Sequence, residues 1–450
     1  MRCAGGHPKA DLTPDAATSI GVGQCRCQLA SDTGSNAVAY TLSTAWGSIQ
    51  KLCWKLALVC AVLHRRRVIA HLCALLFFCA FASSRLFGQL STTDHLAEPG
   101  FWPTRSGAPR SEYVGSGACA SCHAAKVAAQ RNTPMAQNAM HAGDSEILHS
   151  HPEMNFSFGP FRYEIKTGTK QSVYTITEGA HSETANLLWA FGVGRAGQSY
   201  LFKKSDGHFY EARVTYFSTL NTIHFTPARA LTSAKDAKDI EEAMYRPVGE
   251  AEVERCFGCH TTASSPKEGF NEKTLLLGVT CEACHGTGAK HVASAQAAMV
   301  AGMTDAAPKD IFNPASLHPV DSVDFCGACH ATWWDVRLSG LKGAATARSQ
   351  PYRLESSKCW GSGDARLTCM ACHDPHKPLQ TEPSDYDAVC ASCHVAAGEK
   401  KTASHAGEAC PTSTKNCVSC HMEKVYVPEM HSKFTDHRIR IVRAGEAYPE

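Results

Sequence analysis

Two cysteines separated by two residues and followed at once by a histidine recur along this chain. The pattern Cys-x-x-Cys-His occurs seven times among 450 residues that include 23 cysteines and 23 histidines. Two thiols at this spacing can form thioethers with the two vinyl groups of one porphyrin. The pattern therefore predicts seven covalently bound haem c groups. The cysteine pairs, motifs one to seven in chain order, are Cys119 and Cys122, Cys256 and Cys259, Cys281 and Cys284, Cys326 and Cys329, Cys369 and Cys372, Cys390 and Cys393, and Cys417 and Cys420.

The histidine that closes each motif is the expected proximal ligand of the haem iron. A zinc site would need further ligands at a complementary spacing, and a redox-active Cys-x-x-Cys does not need a histidine beside it. Seven repeats with the histidine always in place favour haem over both alternatives. The seven proximal ligands are His123, His260, His285, His330, His373, His394 and His421.

A low-spin haem also needs a ligand on the other face of its iron, and histidines outside the motifs can supply it. Local context favours those tethered closely to a motif. The expected distal ligands are His141, His291, His376, His405, His431 and His437. Weaker candidates are His151 and His224, and the methionines that could replace a histidine ligand are Met135, Met140 and Met430.

His376 carries the sharpest of these expectations, because it lies only three residues after His373. Pro375 restricts its own φ and pushes Asp374 toward extended geometry. An extended link would direct His376 away from its own porphyrin. We therefore expect it to bind the iron of an adjacent haem, with motif six favoured because it follows closely in sequence. The alternative is a surface histidine beside a proline turn.

Two cysteines beyond residue 82 lie outside the motifs, namely Cys359 and Cys410. An oxidising compartment makes a disulfide between them plausible. The alternative is two unbridged thiols, since sequence does not give the distance that the bond requires.

The short spacers between motifs two and seven bear on the fold class. Such spacers cannot each build an apolar core, so we expect the porphyrins to serve as the core, with short helices and loops wrapped around them. The predicted fold is mostly α and irregular, with a haem-filled core and a small antiparallel β subdomain. We assign residues 83–155 to a first haem segment and 227–450 to a hexahaem domain.

The β subdomain is expected over residues 156–226. Apolar and polar residues alternate in several stretches there, and Ser205-Asp206-Gly207 separates two of them. Period-two alternation bounded by Gly and Asp is typical of antiparallel strands and hairpins. The aromatic residues of these stretches are expected to form the core of the subdomain.

Residues 64–82 resemble a secretory signal. Three arginines precede an apolar run from Val68, which ends at Ala80-Phe81-Ala82. This arrangement predicts export and cleavage after Ala82. The alternative is an uncleaved anchor, which would give membrane association through 68–82, although the run is shorter than a spanning helix needs. Residues 1–63 are interpreted as an upstream extension from a mis-assigned start.

The charge balance excludes a nucleic-acid binder that relies on bulk positive charge. The chain has 44 Lys and Arg against 42 Asp and Glu, a formal net charge of +2. Affinity for phosphate backbones comes from clustered basic residues. Because haem attachment in bacteria takes place outside the inner membrane, the motifs and the signal together predict a periplasmic or otherwise extracytoplasmic bacterial protein.

From about Tyr113 to Val442 the chain resembles bacterial multihaem cytochromes c of the cytochrome c-554 type. The resemblance lies in Cys-Glu-Ala-Cys-His-Gly-Thr-Gly-Ala-Lys-His at 281–291, and in residues 367–376, 416–422 and 434–439. The first element is similar to one in the hydroxylamine oxidoreductase lineage, whose last histidine is a distal haem ligand, which implies that role for His291. No motif has the lysine of the pentahaem nitrite reductases, and no tyrosine cross-link site is assured. Both departures count against an enzyme.

The resemblance implies extracytoplasmic electron transfer. The predicted function is to carry electrons between redox partners through seven haems, with redox proteins or a membrane quinol-oxidising complex as partners. The alternative is a multihaem oxidoreductase that acts on a small nitrogen or sulfur compound at one haem with an open sixth position. The motif-one haem is the candidate for that site, since its surroundings differ most.

Overall fold

The computed structural model describes residues 107–227, 237–264, 267–303, 310–361, 366–394 and 410–449. The predicted upstream extension, the signal segment and the expected ligand His405 lie outside these residues. All of the described residues belong to the unit Gly88–Glu450.

Antiparallel strands dominate the chain between motifs one and two, as the alternation predicts. The strands are β1 (Ala139–His141), β2 (Glu153–Phe158), β3 (Phe161–Thr167), β4 (Ser172–Glu178), β5 (His181–Asn186), β6 (Trp189–Phe191), β7 (Gln198–Lys203), β8 (Phe209–Phe217), β9 (Thr222–Phe225), β10 (Tyr245–Val248), β11 (Thr261–Thr262), β12 (Leu276–Leu277), β13 (Lys424–Val427) and β14 (Ser432–Thr435).

Two sheets form this β region. The first has the order β1-β6-β7-β8-β10, with β9 also paired to β8, and the second has the order β2-β3-β4-β5. Within β4, Tyr174 and Ile176 are buried while Thr175 between them is half-buried, so the inward face follows the period of two. The sheets extend beyond the predicted 156–226, because β1 and β10 pair with β6 and β8 across long stretches of sequence.

The hairpin between β7 and β8 turns at the predicted Ser205-Asp206-Gly207. Gly207 has φ +80° and its amide donates to the carbonyl of Lys204 at 3.0 Å. A residue without Cβ adopts this left-handed conformation at no steric cost. His208 follows the turn and is exposed.

The motifs themselves lie on short helices. The described residues form α1 (Gly115–Arg131), α2 (Glu146–Ser150), α3 (Ile240–Met244), α4 (Glu250–His260), α5 (Cys281–His285), α6 (Ala289–Val300), α7 (Pro319–His330), α8 (Trp333–Ser339), α9 (Gln350–Glu355), α10 (Lys358–Gly361), α11 (Cys369–Cys372), α12 (Asp387–Ala391) and α13 (Cys417–His421). Single 3₁₀ turns occur at Arg110–Glu112, Ala142–Asp144, Glu272–Thr274, Pro314–Ser316, Gly343–Arg348, Pro383–Tyr386 and Pro428–Met430.

Apolar packing is concentrated in the β region. Of the 38 buried apolar side chains among the described residues, 27 lie between residues 139 and 257, and eight lie beyond residue 280. The first group includes Tyr163, Ile165 and Tyr200 in one cluster and Trp189 and Phe257 in another. The region that carries motifs three to seven is therefore poor in buried apolar side chains of its own.

Among the described helices, none combines the length and the apolar character that a membrane-spanning segment requires.

The uneven packing predicts how the chain behaves without its cofactor. We expect the full chain, expressed without a cytochrome c maturation system, to lose residues 281–421 to limited proteolysis, because few apolar side chains close that region. The β region should survive as a fragment that contains 139–257. Mass spectrometry of the digest identifies the fragments, and a resistant fragment that carries motifs four to seven would contradict the expectation.

Candidate haem sites

Each motif forms a helical turn that ends at or beside its histidine. Helices α5, α11 and α13 begin at the first cysteine of motifs three, five and seven, and α4 and α7 end at the histidines of motifs two and four. Residues three apart on a helix lie on one face, so a turn presents both thiols in the same direction. Motif one lies inside α1, and the helix breaks at His123, where φ is −117° and ψ is 38°.

The end of α5 illustrates why the turn stops at the histidine. Gly286 follows His285 with φ +81°, a conformation that ends the helix and suits glycine. The amide of Gly286 donates to the backbone carbonyl of Glu282 at 3.2 Å and closes the turn.

Three motif histidines are oriented by backbone carbonyls. The Nδ1 atom of His260 lies 3.2 Å from the carbonyl oxygen of Asn138. The Nδ1 atom of His285 lies 2.9 Å from that of Phe312, and the Nδ1 atom of His421 lies 2.9 Å from that of Arg440. A carbonyl only accepts, so Nδ1 carries the proton in each case. The lone pair on Nε2 is then the one available to a metal, as in histidine metal ligands generally.

Burial keeps several of these imidazoles neutral. Desolvation lowers the pKa of His285, of His330 and of His373. The same cause lowers the pKa of His437 to about 4. A neutral imidazole is the form that binds a metal, so burial favours ligation at each of these positions.

Two pairs of histidines face each other across a gap of the right size for a metal. The ring centroids of His285 and His376 lie 5.9 Å apart with 13° between the planes. Those of His373 and His437 lie 6.2 Å apart with 44° between the planes. Metal–imidazole bonds are about 2 Å long, so two histidines on opposite sides of one metal have centroids roughly 6–6.5 Å apart. Both centroid separations are close to that of two axial histidines on one iron, which makes each pair a candidate ligand pair.

The position of His376 differs from the expected one. The motif-six iron was the favoured target, but the ring lies opposite His285 of motif three. The reason is local: the Asp374 carboxylate accepts the amide of His376 at 3.0 Å and the Asp374 carbonyl accepts that of Lys377 at 3.0 Å. These two bonds make a tight turn in place of the extended link that Pro375 indicated.

Other candidate ligands lie in varied surroundings. His291 is in the first turn of α6, close enough to His285 to affect its pKa. His141 is exposed at the edge of β1, with its ring 4.2 Å from that of Trp189.

The remaining candidates are engaged by protein groups. Nε2 of His431 lies 3.1 Å from Nδ1 of His224, so these two candidates contact each other. Both ring nitrogens of His151 are within hydrogen-bond distance of oxygen acceptors, at 3.0 and 2.9 Å. Met430 is buried beside Phe217.

Motifs far apart in sequence meet through their cysteines. In three pairs, one thiol lies close enough to the other to raise its pKa, and these pairs join motif one to three, four to five and six to seven. Burial, followed by the charge of Cys281, raises the pKa of the Cys119 thiol to about 11. The pairs are Cys119 with Cys281, Cys326 with Cys369, and Cys390 with Cys417. In addition, the Cys259 thiol of motif two lies 3.7 Å from the carbonyl of Ala328 in motif four.

None of the 16 described cysteines forms a disulfide, including Cys359 and Cys410. The bridge between these two is therefore absent from the described structure.

A buried carboxylate that the sequence did not single out joins motifs one and three. Glu282 lies inside motif three and is 2% exposed. Its Oε1 accepts the amides of Val114 at 2.9 Å and Gly288 at 2.7 Å, and its Oε2 accepts the amide of Gly115 at 2.8 Å. Helix α1 has no side-chain cap of its own, so Glu282 caps the helix that carries motif one. The acidic residue inside Cys-Glu-Ala-Cys-His was the available signal.

Asp387 does the same for motifs six and seven. It is the first residue of α12, and its carboxylate accepts the amides of Asn416 at 2.8 Å and Cys417 at 2.9 Å. Its negative charge thus lies at the N-terminus of α13, where the helix dipole favours it.

The matched family model is described as cytochrome c554 and c-prime, and it covers residues 213–286, which include motifs two and three. Among solved structures, the chain is similar to the outer cell wall cytochrome OcwA, with 16% sequence identity, a TM-score of 0.43, and coverage of 73% of this chain and 80% of that chain. A comparison with curated proteins found no match. The family match supports a multihaem c-type cytochrome with covalently bound haem.

The position of His376 yields a first prediction for the site. Replacing His376 with Ala should convert the motif-three haem to high spin and leave the others low-spin, because the imidazole opposite His285 is lost. Electron paramagnetic resonance of the oxidised protein measures the spin states. The exposed His208→Ala variant is the control and should match the parent, whereas an unchanged spectrum for His376→Ala would make His376 a bystander.

Glu282 yields a second prediction. Glu282→Ala should lower the free energy of unfolding by about 1–3 kcal/mol, because two amides at the start of α1 and one at the start of α6 lose their acceptor. Chemical denaturation of the haem-loaded protein measures the change. Removing the exposed Glu254 of α4 in the same way should have little effect, and equal stabilities for the two variants would argue against the cap.

Proposed function

We propose that this protein is an extracytoplasmic electron carrier with seven covalently bound haem c groups. The observation that carries the proposal is the contact between attachment sites, since every motif lies beside at least one other. A protein that moves electrons one at a time needs its cofactors in near contact, and the protein contributes by holding and tuning them.

The contacts connect the sites into a branched series. Motif one meets motif three through Cys119 and Cys281, and motif three meets motif five through His285 and His376. Motif two meets motif four through Cys259. Such a series lets an electron that enters at one site reach the others.

The second half of the series runs along motifs four to seven. The Cys326–Cys369 contact joins motif four to five. The charge of Cys390 helps to raise the pKa of the Cys372 thiol, so motif six lies beside motif five. The Cys390–Cys417 contact then leads to motif seven.

Two ends of the branched series, at motifs one and seven, are accessible. Cys122 of motif one and Cys420 of motif seven are exposed. We place the exchange of electrons with partners at these ends. The partners we propose are redox proteins or a membrane quinol-oxidising complex, and the location is the periplasm or another extracytoplasmic compartment.

Haem content and spin state test the proposal. The intact mass of the mature protein should correspond to seven haem groups, and a reductive titration should take up seven electrons. The oxidised protein should bind neither cyanide nor nitrite if all the haems are six-coordinate. A Cys417→Ala and Cys420→Ala double variant should lose one haem and serves as the internal control.

Two outcomes would contradict the carrier. A haem content below seven would remove the continuous series of sites. High-spin iron that binds nitrite or cyanide in the parent protein would favour the alternative, an oxidoreductase with one open haem.

A further inference from the structure

An ion pair lies entirely inside the part of the molecule that otherwise has few buried side chains. The side chain of Arg353 on α9 is 0% exposed and that of Asp436 is 1% exposed. Nε and Nη2 of Arg353 donate to the two carboxylate oxygens of Asp436, each at 2.8 Å. This is the two-pronged geometry in which arginine and carboxylate bind most specifically.

The cost of such a pair makes a purely stabilising role a weak explanation. Removing two charges from water is expensive, and apolar residues of similar volume often serve stability as well or better. A buried pair is better accounted for when it enforces one particular arrangement of the chain. The neighbour of Asp436 in sequence is His437, whose ring faces His373 of motif five.

Asp436 fixes the backbone on both sides of itself. Its amide donates to the carbonyl of Glu423 at 2.8 Å, and its Oδ1 accepts the amide of Arg438 at 3.0 Å. The carboxylate held by Arg353 therefore also holds the residue that follows His437.

Ser357, which lies just after α9, hydrogen-bonds to the same segment. Its hydroxyl donates to the carbonyl of His437 at 3.3 Å and accepts the amide of Ile439 at 2.8 Å. Nδ1 of His437 lies 3.0 Å from the carbonyl of Thr435. The main chain before and after His437 and the ring itself are thus all held.

The remaining guanidinium nitrogen of Arg353 contacts the C-terminal segment. Its Nη1 donates to the carbonyl of Pro449 at 3.1 Å, and its guanidinium carbon lies 4.7 Å from the centre of the Tyr448 ring. These contacts leave the guanidinium no freedom to turn away from Asp436.

We propose that Arg353 is a positioning residue that, through Asp436 and together with Ser357, holds the His437 imidazole opposite His373. The inference rests on the proposed function, and it takes His373 and His437 as the two axial ligands of the motif-five haem iron. The ion pair then determines whether the sixth ligand of that haem stays in place, and with it the spin state and the reduction potential of the haem.

The test uses the haem-loaded full chain and three variants, two at Arg353 and one at Ser357. Arg353→Met removes the guanidinium while keeping much of its volume, and we expect one of the seven low-spin signals to be lost. Ser357→Ala removes a single hydroxyl, and we expect it to fold and to shift the reduction potential of one haem while the other six keep theirs. Arg353→Lys should restore part of the low-spin signal, because a charge is kept but the fork is not.

Arg246 provides the matched control. Its guanidinium also pairs with carboxylates, for example Glu252 at 2.7 Å, but it lies in the β region on β10. Arg246→Met should lower the stability and leave all seven haem signals unchanged. A purely structural role for Arg353 predicts this same outcome for Arg353→Met, so the comparison separates the two explanations.

The His437→Ala variant separates failure of this inference from failure of the ligand assignment. If His437→Ala keeps all the haems low-spin, the assignment of His437 is wrong and the proposal falls with it. If His437→Ala gives one high-spin haem while Ser357→Ala and Arg353→Lys keep the parent's spin states and potentials, the positioning role is overturned. Should Arg353→Met fail to fold, the Ser357→Ala potentials alone decide.

Discussion

Helical turns of four or five residues are not stable in water by themselves, and four of the seven motifs lie on such turns. Groups from other motifs fix the start of two motif helices. Glu282 of motif three caps the longer helix of motif one, and Asp387 beside motif six caps the short turn of motif seven. Motifs one and three, and motifs six and seven, are therefore held together, so distortion of one member reaches the other.

The molecule meets this constraint with two kinds of packing. The β region buries aromatic and branched side chains in the ordinary way, with Tyr163, Tyr200 and Trp189 inside. The motif region instead relies on hydrogen bonds and a buried ion pair that orient individual groups. Apolar packing tolerates small shifts between similar arrangements, whereas a forked ion pair such as Arg353–Asp436 has one geometry. A single fixed geometry suits a region that must orient histidine side chains.

The orientation of the imidazoles follows one rule at several sites. A backbone carbonyl holds Nδ1 of His260, His285 and His421, so that Nε2 is the atom left for a metal. The two histidines that face motif histidines come from elsewhere in the chain: His376 lies beside motif five and faces motif three, and His437 follows β14 and faces motif five. This arrangement connects segments that share few apolar contacts.

The sequence by itself determined the seven Cys-x-x-Cys-His motifs and the antiparallel strands. Both are local: a thioether site needs three side chains within five residues, and a half-buried strand shows its period of two directly. Only the tertiary structure decided which histidine faces which motif, because that choice depends on contacts between distant segments. The turn after His373 was predicted to extend, but the Asp374 side chain closes it and directs His376 to motif three. Glu282 and Arg353 escaped notice for the same reason, since their partners lie 167 and 83 residues away.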